Sequence, residues 1–416
     1  MLGDESDKCL ILSHKGSSRS IFVCPLPLRS MLNFQNTELA FKLRSDEELR
    51  SARFLFSSIS NPRLVRFGSK WALWALRVGL PINGLIRRTV FRQFCGGESI
   101  RSCTAVIERM HDRGVQSILD YSAEGKYGEE DLDRTHSIIL STIEYAQEHP
   151  GVPLAVFKPT GLGPSAIWTA VSAGQTLNAE QEKQWARAKE RIRSLCAAAQ
   201  RANIPLMFDA EESWMQKAMD DLCLEMMRTF NQERPIVFNT LQMYRHDRLE
   251  YLKEIDSISE RDGFYIGLKI VRGAYMEKER QRAQERGVPS PIQPDKAATD
   301  RDYNAACAFI ADRLDRYALV AGSHNEQSAQ LLADLLTSNG QKDTDRVYFS
   351  QLYGMSDHIS FNLAAAGFRV VKYLPFGPIQ EVMPYLIRRA EENTSVGGQS
   401  GRELQLISEE LRRRKG

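Results

Sequence analysis

Eight short apolar runs recur along the chain, and this repetition is the strongest constraint on its fold. Each run begins with apolar, often β-branched residues, and amphipathic helical sequence separates it from the next run. The runs are SILDYSAE (117–124), PLAVFKPTG (153–161), PLMFDAEES (205–213), IVFNTLQMY (236–244), IGLKIVRGAY (266–275), ALVAGSHNE (318–326), VYFSQLYGM (347–355) and RVVKYLPFG (369–377). Strand followed by helix, eight times over, predicts an α/β fold, a closed parallel (β/α)8 barrel of the TIM type.

Polar residues stand at the ends of seven of these runs. They are Lys158, Asp209, Gln242, Arg272, His324, Gln351 and Tyr373. The carboxyl ends of the strands of such a barrel meet on one face, so the sequence predicts a functional site there. For any single residue of this set, the alternative is a polar side chain that leaves a strand into solvent.

Two adjacent arginines follow the last run, in the helical sequence IQEVMPYLIRRAEEN. On a helix, Tyr385, Arg388, Arg389 and Glu392 share one side, with about 100° between the two arginines. Two guanidinium groups can flank one carboxylate or phosphate. The sequence therefore predicts a C-terminal lid helix that binds a small anionic substrate, against the alternative of a solvated charged face.

Composition and motifs exclude several other functions. Lys and Arg total 55 against 53 Asp and Glu, which gives a net charge of +2 and no indication of nucleic acid as a partner. The seven cysteines never form C-x-x-C and the seven histidines show no ligand spacing, so we expect free thiols and no metal. Neither a Walker loop nor G-x-G-x-x-G after a strand is present.

The chain divides into four predicted segments. Residues 1–33 form a leader, either disordered or a transit peptide, since no acid occurs between Asp7 and Glu38. Residues 34–115 form an N-terminal helical arm, in which Ser45 and Glu48 have capping-box spacing. The barrel occupies residues 116–400, and residues 401–416 form a frayed, solvated tail.

The arm contains an apolar, aromatic stretch with only basic charges, residues 70–94. Two interpretations are open for it. The stretch is either a helical pair packed on a larger body or a surface that rests on an anionic membrane.

Seven motifs follow one another along the chain, namely FDAEES, NTLQMYRHD, LKIVRGAYMEKER, PSPIQPDKAATDRDYNAA, GSHNE, SQLYGM and YLIRRAEEN. In this order they resemble proline dehydrogenase, the FAD-dependent enzyme family that catalyses the first step of proline catabolism. The resemblance covers about residues 34–410. It implies a distorted (β/α)8 barrel with FAD at the carboxyl ends of the strands. It further implies oxidation of L-proline to Δ1-pyrroline-5-carboxylate, a membrane quinone as electron acceptor, and a separate pyrroline-5-carboxylate dehydrogenase downstream.

The resemblance also assigns roles to individual residues of this chain. Lys158, Arg388 and Arg389 would bind the proline carboxylate, and the ring would be surrounded by Tyr275, Ile270, Leu352, Tyr373 and Tyr385. Asp209 corresponds to the active-site aspartate, and Lys269 stands where many members have an arginine near flavin N5. FAD would be held by Gln242, Val271, Arg272, Gly273, Ala274, Ser323, His324 and Asn325, with Ala210 against the isoalloxazine and Glu392 supporting the site.

Three alternatives remain open from the sequence. Hydroxyproline dehydrogenase shares the fold and cofactor, but the bulky Tyr373 favours proline. A lyase could use Lys158 or Lys372 as a Schiff-base amine. A non-catalytic membrane-surface protein could be built around residues 70–94. The expected location is the cytoplasm, at the periphery of the inner membrane, with the mitochondrial matrix as the alternative.

Overall fold

Eight parallel strands close into a barrel in the order in which they occur along the chain. The structure is a computed structural model that describes residues 32–78, 80–122, 128–395 and 399–416, without the side chains at 62, 66, 70, 73, 76–77, 391–395 and 399–400. The strands are β1 (Val115–Tyr121), β2 (Leu154–Phe157), β3 (Leu206–Phe208), β4 (Val237–Gln242), β5 (Ile266–Val271), β6 (Tyr317–Gly322), β7 (Val347–Leu352) and β8 (Val370–Phe376). All eight predicted strands are confirmed, and so is the barrel.

Helices surround this barrel, and further helices precede it in the N-terminal arm. The arm contributes α1 (Thr37–Phe41), α2 (Asp46–Ile59), α3 (Pro62–Arg77), α4 (Asn83–Ile86), a π-helical turn (Arg87–Phe91), α5 (Arg92–Phe94) and α6 (Ile100–His111). The barrel region contributes a 3-10 turn (Pro159–Gly161), α7 (Glu129–Glu148), α8 (Ser165–Ser172), α9 (Ala179–Ala202), α10 (Ser213–Phe230), α11 (Arg248–Asp262), α12 (Met276–Arg286), α13 (Lys296–Ala311), α14 (Glu326–Ser338), α15 (Asp357–Ala365), α16 (Ile379–Ser395) and α17 (Gln399–Arg413).

The longest strand pairing joins the first strand to the last. β1 pairs with β8 in register from Val115 with Val370 to Tyr121 with Phe376. Successive side chains of each strand point alternately into the barrel and out toward the helices. Ile118 and Val371 belong to the small core inside the barrel. The larger core lies between strands and helices, as the buried runs predict.

The arm packs on the barrel through a second apolar cluster. Ser45 caps α2 in a capping box with Glu48, as predicted from the sequence. Phe56 and Phe94 are buried in the same cluster as Leu386 of α16 and Leu406 of α17. The predicted end of the arm at residue 115 falls on the first residue of β1.

The predicted frayed tail is wrong. Residues 399–413 form α17, whose apolar side, with Leu406 and Ile407, is buried. Glu410 is fully buried and accepts hydrogen bonds from Arg413 (2.8 Å) and Arg414 (2.7 Å). Arg414 in turn donates to the carbonyl oxygens of Phe41 and Arg44. The arginine-rich ending suggested solvation, but these arginines pair with a buried carboxylate and cap the turn after α1.

A buried ion network links the arm to the barrel. Lys372 of β8 is only 1% exposed, and its Nζ donates to Oδ1 of Asp357 (2.6 Å) and to the carbonyl of Met355 (2.7 Å). The other oxygen of Asp357 lies 3.3 Å from the guanidinium of Arg44. Burial would raise the pKa of Asp357, but Lys372 and Arg44 hold it below its usual value.

The stretch 70–94 has features of both predicted interpretations, a helical pair packed on the protein and a surface that rests on a membrane. Ala75, Ile86 and Phe91 are buried against the rest of the protein. Trp71 and Trp74 remain about half exposed. Among the described residues, no helix combines the length and the apolar character needed to span a bilayer.

Gly354 provides a test of the contact between arm and barrel. Its φ is +79°, and an added Cβ would lie 1.9 Å from the carbonyl oxygen of Gln93, while the Gln93 amide donates to the Gly354 carbonyl (2.6 Å). Gly340 has a similar φ of +67° but open space around it. We expect Gly354→Ala to lower the free energy of unfolding by about 1–3 kcal/mol more than Gly340→Ala. Equal losses in chemical denaturation would show that the arm does not constrain this turn.

Candidate functional site

A cavity of about 420 Å³ opens at the carboxyl ends of the strands. All the predicted site residues line it except Ile270 and Glu392. Gln351, one of the polar strand ends predicted to meet at this face, lines it too, and so do six residues without a predicted role, Asp120, Thr240, Lys296, Gly322, Ser350 and Met355. The barrel face predicted from the polar strand ends is therefore where these side chains converge.

Ile270 is a wrong prediction for the substrate ring. It is fully buried in the core between the barrel and the helices. The reason is strand alternation: Lys269 points into the barrel, so the next residue points outward. Glu392 lies in α16, and its side chain is outside the described part of the chain.

Alternating charges cross the floor of the cavity. Nζ of Lys158 lies 3.0 Å from Oδ1 of Asp120 and 3.9 Å from Oδ2 of Asp209. Oδ1 of Asp209 accepts a hydrogen bond from Lys269. Lys269 also donates to the hydroxyl of Tyr373 (2.8 Å). Each carboxylate thus has a lysine partner, which is the arrangement that makes buried charges tolerable.

Tyr373 is fixed by this network on its hydroxyl and on its ring. Its hydroxyl donates to Asp209 (3.2 Å), and Nζ of Lys269 lies 4.7 Å from its ring centroid. Burial, together with the charges of Asp209 and Asp120, raises the pKa of Tyr373 well above its usual value. The phenol therefore keeps its proton and holds a fixed position on the wall of the cavity.

Asp120 was missed by sequence reasoning. It is 5% exposed and also accepts a hydrogen bond from Ser122 (2.8 Å). Burial alone would raise its pKa, but Lys158, Ser122 and Lys269 hold the pKa below its usual value. Its position in the run SILDYSAE, at the polar end of the first strand, is the signal that could have identified it.

Helix α16 brings three aromatic or cationic side chains to the same cavity. Tyr385, Arg388 and Arg389 all line it. The guanidinium of Arg389 lies 5.4 Å from the ring centroid of Tyr385, within the range of a cation–π contact. Together with Lys158 and Lys269, the two arginines place four basic side chains around the two aspartates at this end of the cavity.

The opposite end of the cavity is built around Arg272. Its guanidinium donates to Ser323 and Ser328 (both 2.8 Å), pairs with Asp300 (2.7 Å) and lies 4.5 Å from the ring centroid of Tyr303. These contacts fix a planar donor fork at the rim of the site.

Two neighbours of Arg272 add neutral polar groups. Asn325 caps helix α14 by accepting from the backbone N–H of Ser328 (3.0 Å). His324 is half-buried, and desolvation with the charges of Lys372 and Arg389 lowers its pKa to about 3. Its imidazole is therefore neutral at neutral pH, with Nδ1 2.9 Å from the Ser356 hydroxyl.

Glu211 lies directly behind the cavity, next to the lining residue Ala210. It accepts hydrogen bonds from the backbone N–H (3.0 Å) and the hydroxyl (2.6 Å) of Thr160, and Gln242 donates to its carbonyl oxygen (2.7 Å). Burial raises the pKa of its carboxyl from 4.5 to about 7, despite the two bonds from Thr160.

This raised pKa predicts a pH-dependent stability. The buried carboxyl favours its protonated form. The stability that the protonated carboxyl gives the folded state is therefore fully present below pH 4.5 and is lost as the pH rises through about 7. Between pH 5 and 8 we expect the free energy of unfolding to fall by something on the order of 2–3 kcal/mol more in the wild type than in Glu211→Gln. The exposed Glu225→Gln is the control and should keep the wild-type slope. An unchanged slope in Glu211→Gln would assign the titration elsewhere.

Comparisons with known proteins agree on one family. Residues 103–402 match the family described as proline dehydrogenase. The chain is similar to the carbapenem antibiotics biosynthesis protein CarD of Pectobacterium carotovorum subsp. carotovorum, with 36% identity over 77% of this chain and 83% of that protein. It is also similar to mitochondrial proline dehydrogenase 1 of Dictyostelium discoideum, with 32% identity over 82% of this chain and 67% of that protein.

Solved structures agree on the fold. Proline utilization A (PutA) from Bdellovibrio bacteriovorus superposes with a TM-score of 0.68 at 19% identity, covering 89% of this chain and 40% of that one. The family match spans most of the chain and includes all eight strands of the barrel. The chain belongs to the proline dehydrogenase family, whose members oxidise proline in the first step of proline catabolism.

Proposed function

We propose that this chain oxidises L-proline to Δ1-pyrroline-5-carboxylate with FAD as its cofactor. The observation that carries the proposal is the cavity itself, in which two arginines of α16 line the same wall region as the Asp120–Lys158 and Asp209–Lys269 pairs, beside aromatic side chains. FAD, when bound, supplies an acceptor for the hydride that leaves the ring carbon next to the proline nitrogen.

The carboxylate of proline would bind to the cationic wall. Arg388, Arg389 and Lys158 all line the cavity, and guanidinium forks match the two oxygens of a carboxylate. The ring would then rest among Tyr275, Tyr373, Tyr385 and Leu352. Charge at one end and aromatic walls at the other fix the orientation of a small amino acid.

The proline nitrogen must be neutral for its lone pair to assist loss of the hydride. The basic side chains that line the cavity, Lys158, Arg388 and Arg389, disfavour a protonated amine beside them. The pocket thereby lowers the pKa of the bound amine. The ammonium of Lys269 is held by Asp209 and Tyr373. It would stabilise negative charge that develops during the transfer.

The donors at the Arg272 end fit a dinucleotide cofactor. Arg272 and Lys296 offer positive charge to a diphosphate, while Ser323, neutral His324 and Asn325 offer uncharged hydrogen-bonding groups. Between the two ends, Gln242, Val271, Gly273, Ala274 and Ala210 would hold the flavin ring system. Gly273 has a φ of +132° and packs against the ring of Tyr244, where a Cβ would come within 2.5 Å, so only glycine fits.

The fixed hydroxyl of Tyr373 favours proline over hydroxyproline. It occupies space on the ring-binding wall and is bonded to Asp209 and Lys269. A hydroxylated ring would have to displace a phenol that two charged partners hold. Hydroxyproline oxidation is therefore the less favoured reaction of the same site.

A Schiff-base lyase has weaker support. Lys372 does not line the cavity and is buried against Asp357 on the other side of β8. Lys158 lines the cavity but is ion-paired with Asp120 at 3.0 Å. A paired lysine stays protonated, which suppresses its nucleophilicity.

Substitution of the arginines tests the carboxylate site. Arg388→Met and Arg389→Met should each raise the KM for L-proline by about tenfold or more, because a hydrogen bond to a charged group is worth about 1.5–3 kcal/mol. Arg389→Lys keeps the charge but loses the guanidinium fork, so its KM for L-proline should lie between those of the wild type and Arg389→Met. Steady-state kinetics with a soluble electron acceptor measure this. If KM stays unchanged in both methionine variants, neither arginine binds the carboxylate.

Absorbance spectroscopy tests the cofactor and the substrate together. The purified protein should show a flavin band, and anaerobic L-proline should bleach it, whereas hydroxyproline should bleach it far more slowly. A band that only hydroxyproline bleaches would reverse the substrate assignment. The lack of any flavin band after incubation with FAD would refute the cofactor.

Electrons must finally leave the reduced cofactor, and the proposed acceptor is a membrane quinone. Helix α3 and the residue that follows it expose an apolar stripe at three- and four-residue spacing, formed by Leu64, Phe67, Trp71, Trp74 and Val78. Such a stripe suits a peripheral contact with the bilayer in which a quinone is dissolved. The product would pass to a separate pyrroline-5-carboxylate dehydrogenase. The proposed location is a membrane periphery, on the cytoplasmic side of an inner membrane or in the mitochondrial matrix.

A further inference from the structure

A second cavity, of about 520 Å³, lies within the arm, between helix α6 and the segments that precede it, next to Tyr353 of the barrel. It shares no lining residue with the cavity at the barrel face. The two cavities approach each other at the end of β7, where Leu352 lines the first and Tyr353 lines the second. The lining residues of the second cavity are Arg44, Glu48, Arg87, Arg88, Phe91, Arg92, Cys95, Gly96, Ala105, Val106, Arg109 and Tyr353.

Five of these residues are arginines, and Glu48 is the sole acid among the lining residues. Glu48 lies 3.1 Å from Arg92 and 3.8 Å from Arg109. Two arginines have partners outside the lining, since Arg44 pairs with Asp357 (3.3 Å) and Arg87 pairs with Glu98. Five cations therefore face three carboxylates even when every such partner is counted, which leaves a surplus of two positive charges.

Such a cluster of like charges repels itself unless an anion joins it. Burial would raise the pKa of Glu48, but the backbone of Ser45 and the charges of Arg44, Arg109 and Arg92 hold the pKa below its usual value. One carboxylate is thus already stabilised here by several guanidinium groups. The cavity has room for a second anionic group beside it.

The local backbone is unusual at the same place. Arg87–Phe91 is a π-helical turn between α4 and α5, and it carries Arg87, Arg88 and Phe91 to the cavity. Turns of this kind are rare and occur often at functional sites. Arg88 makes no ion pair among the described residues, and its side chain is exposed.

The sequence around the cavity is basic over a long stretch. Residues 49–97 contain no Asp or Glu and nine Lys or Arg. Leu85, 59% exposed, precedes Arg88 by three residues on one continuous helical segment, so the two lie on neighbouring parts of its surface. Exposed apolar groups next to clustered arginines fit the boundary between phosphate groups and acyl chains of a bilayer.

We infer that the arginine-lined cavity binds the phosphate headgroup of an anionic phospholipid. Guanidinium forks of Arg88 and Arg92 match the phosphate oxygens, and Phe91 and Val106 offer an apolar wall to the glycerol and upper acyl carbons. This inference rests on the membrane contact proposed above for α3. It does not rest on proline oxidation.

Vesicle sedimentation with the full chain tests the inference. Wild-type protein should bind phosphatidylcholine vesicles containing phosphatidylglycerol more tightly than pure phosphatidylcholine, and 0.5 M salt should weaken this binding. The double variant Arg88→Gln/Arg92→Gln should lose about thirtyfold in affinity for the anionic vesicles, at about fivefold for each arginine. Both arginines are exposed, so the fold should tolerate their replacement.

The control variant removes the same charge from the same basic stretch. Arg50 and Arg53 of α2 are exposed but do not line the cavity. Arg50→Gln/Arg53→Gln should lose no more than about fivefold in affinity for the anionic vesicles. Equal losses in the two double variants would show diffuse attraction and overturn the site.

Inorganic phosphate separates a lipid headgroup from a free anion. A rise in melting temperature with inorganic phosphate, lost in Arg88→Gln/Arg92→Gln and without any vesicle binding, would overturn the lipid assignment in favour of a soluble anion. Proline oxidation with a soluble acceptor should be unchanged in both double variants. Failure of that assay in the wild type would refute the proposed activity and leave the vesicle result to be judged separately.

Discussion

Closure of the barrel by β1 and β8 is the constraint on which the site depends. Seven residue pairs join these strands, from Val115 with Val370 to Tyr121 with Phe376. This register sets Ile118 opposite Tyr373 and Asp120 opposite Pro375, so that the aspartate and the phenol reach one cavity from the first and the last strand. Without closure, Asp120, which pairs with Lys158, and Tyr373, which bonds to Lys269, would lie on opposite edges of an open sheet.

Alternation along β8 divides two buried charge systems. Tyr373 points inward and joins Asp209 and Lys269, while Lys372 points outward and joins Asp357 and Arg44. The inner system faces the cavity, and the outer system holds the arm on the barrel. Removing one member of either leaves a buried charge without its partner, which is more costly than the pair was favourable.

The sequence was sufficient for the fold because each strand is a buried apolar run with a polar end, and periodicity reports both. Most of the site followed from motifs and from the convergence of those ends. Ile270 failed because a motif does not reveal which face of the strand a residue occupies. Asp120 was overlooked because its partner Lys158 is 38 residues away and the pairing exists only after closure. Helix α17 was missed because its run of arginines suggested an exposed tail, whereas Arg413 and Arg414 pair with the buried Glu410.

One helix of the arm both packs on the rest of the protein and exposes apolar side chains to solvent. Helix α3 buries Val65 and Ala75, yet leaves Phe67 and Trp74 more than half exposed. Leaving such large aromatic side chains in water is energetically unfavourable, because apolar surface is stabilised by removal from water. A contact that covers them is therefore favoured. If the proposed flavin passes its electrons to the proposed membrane acceptor, an arm that anchors to a bilayer while α16 lines the site would bring the two together without any change in the barrel.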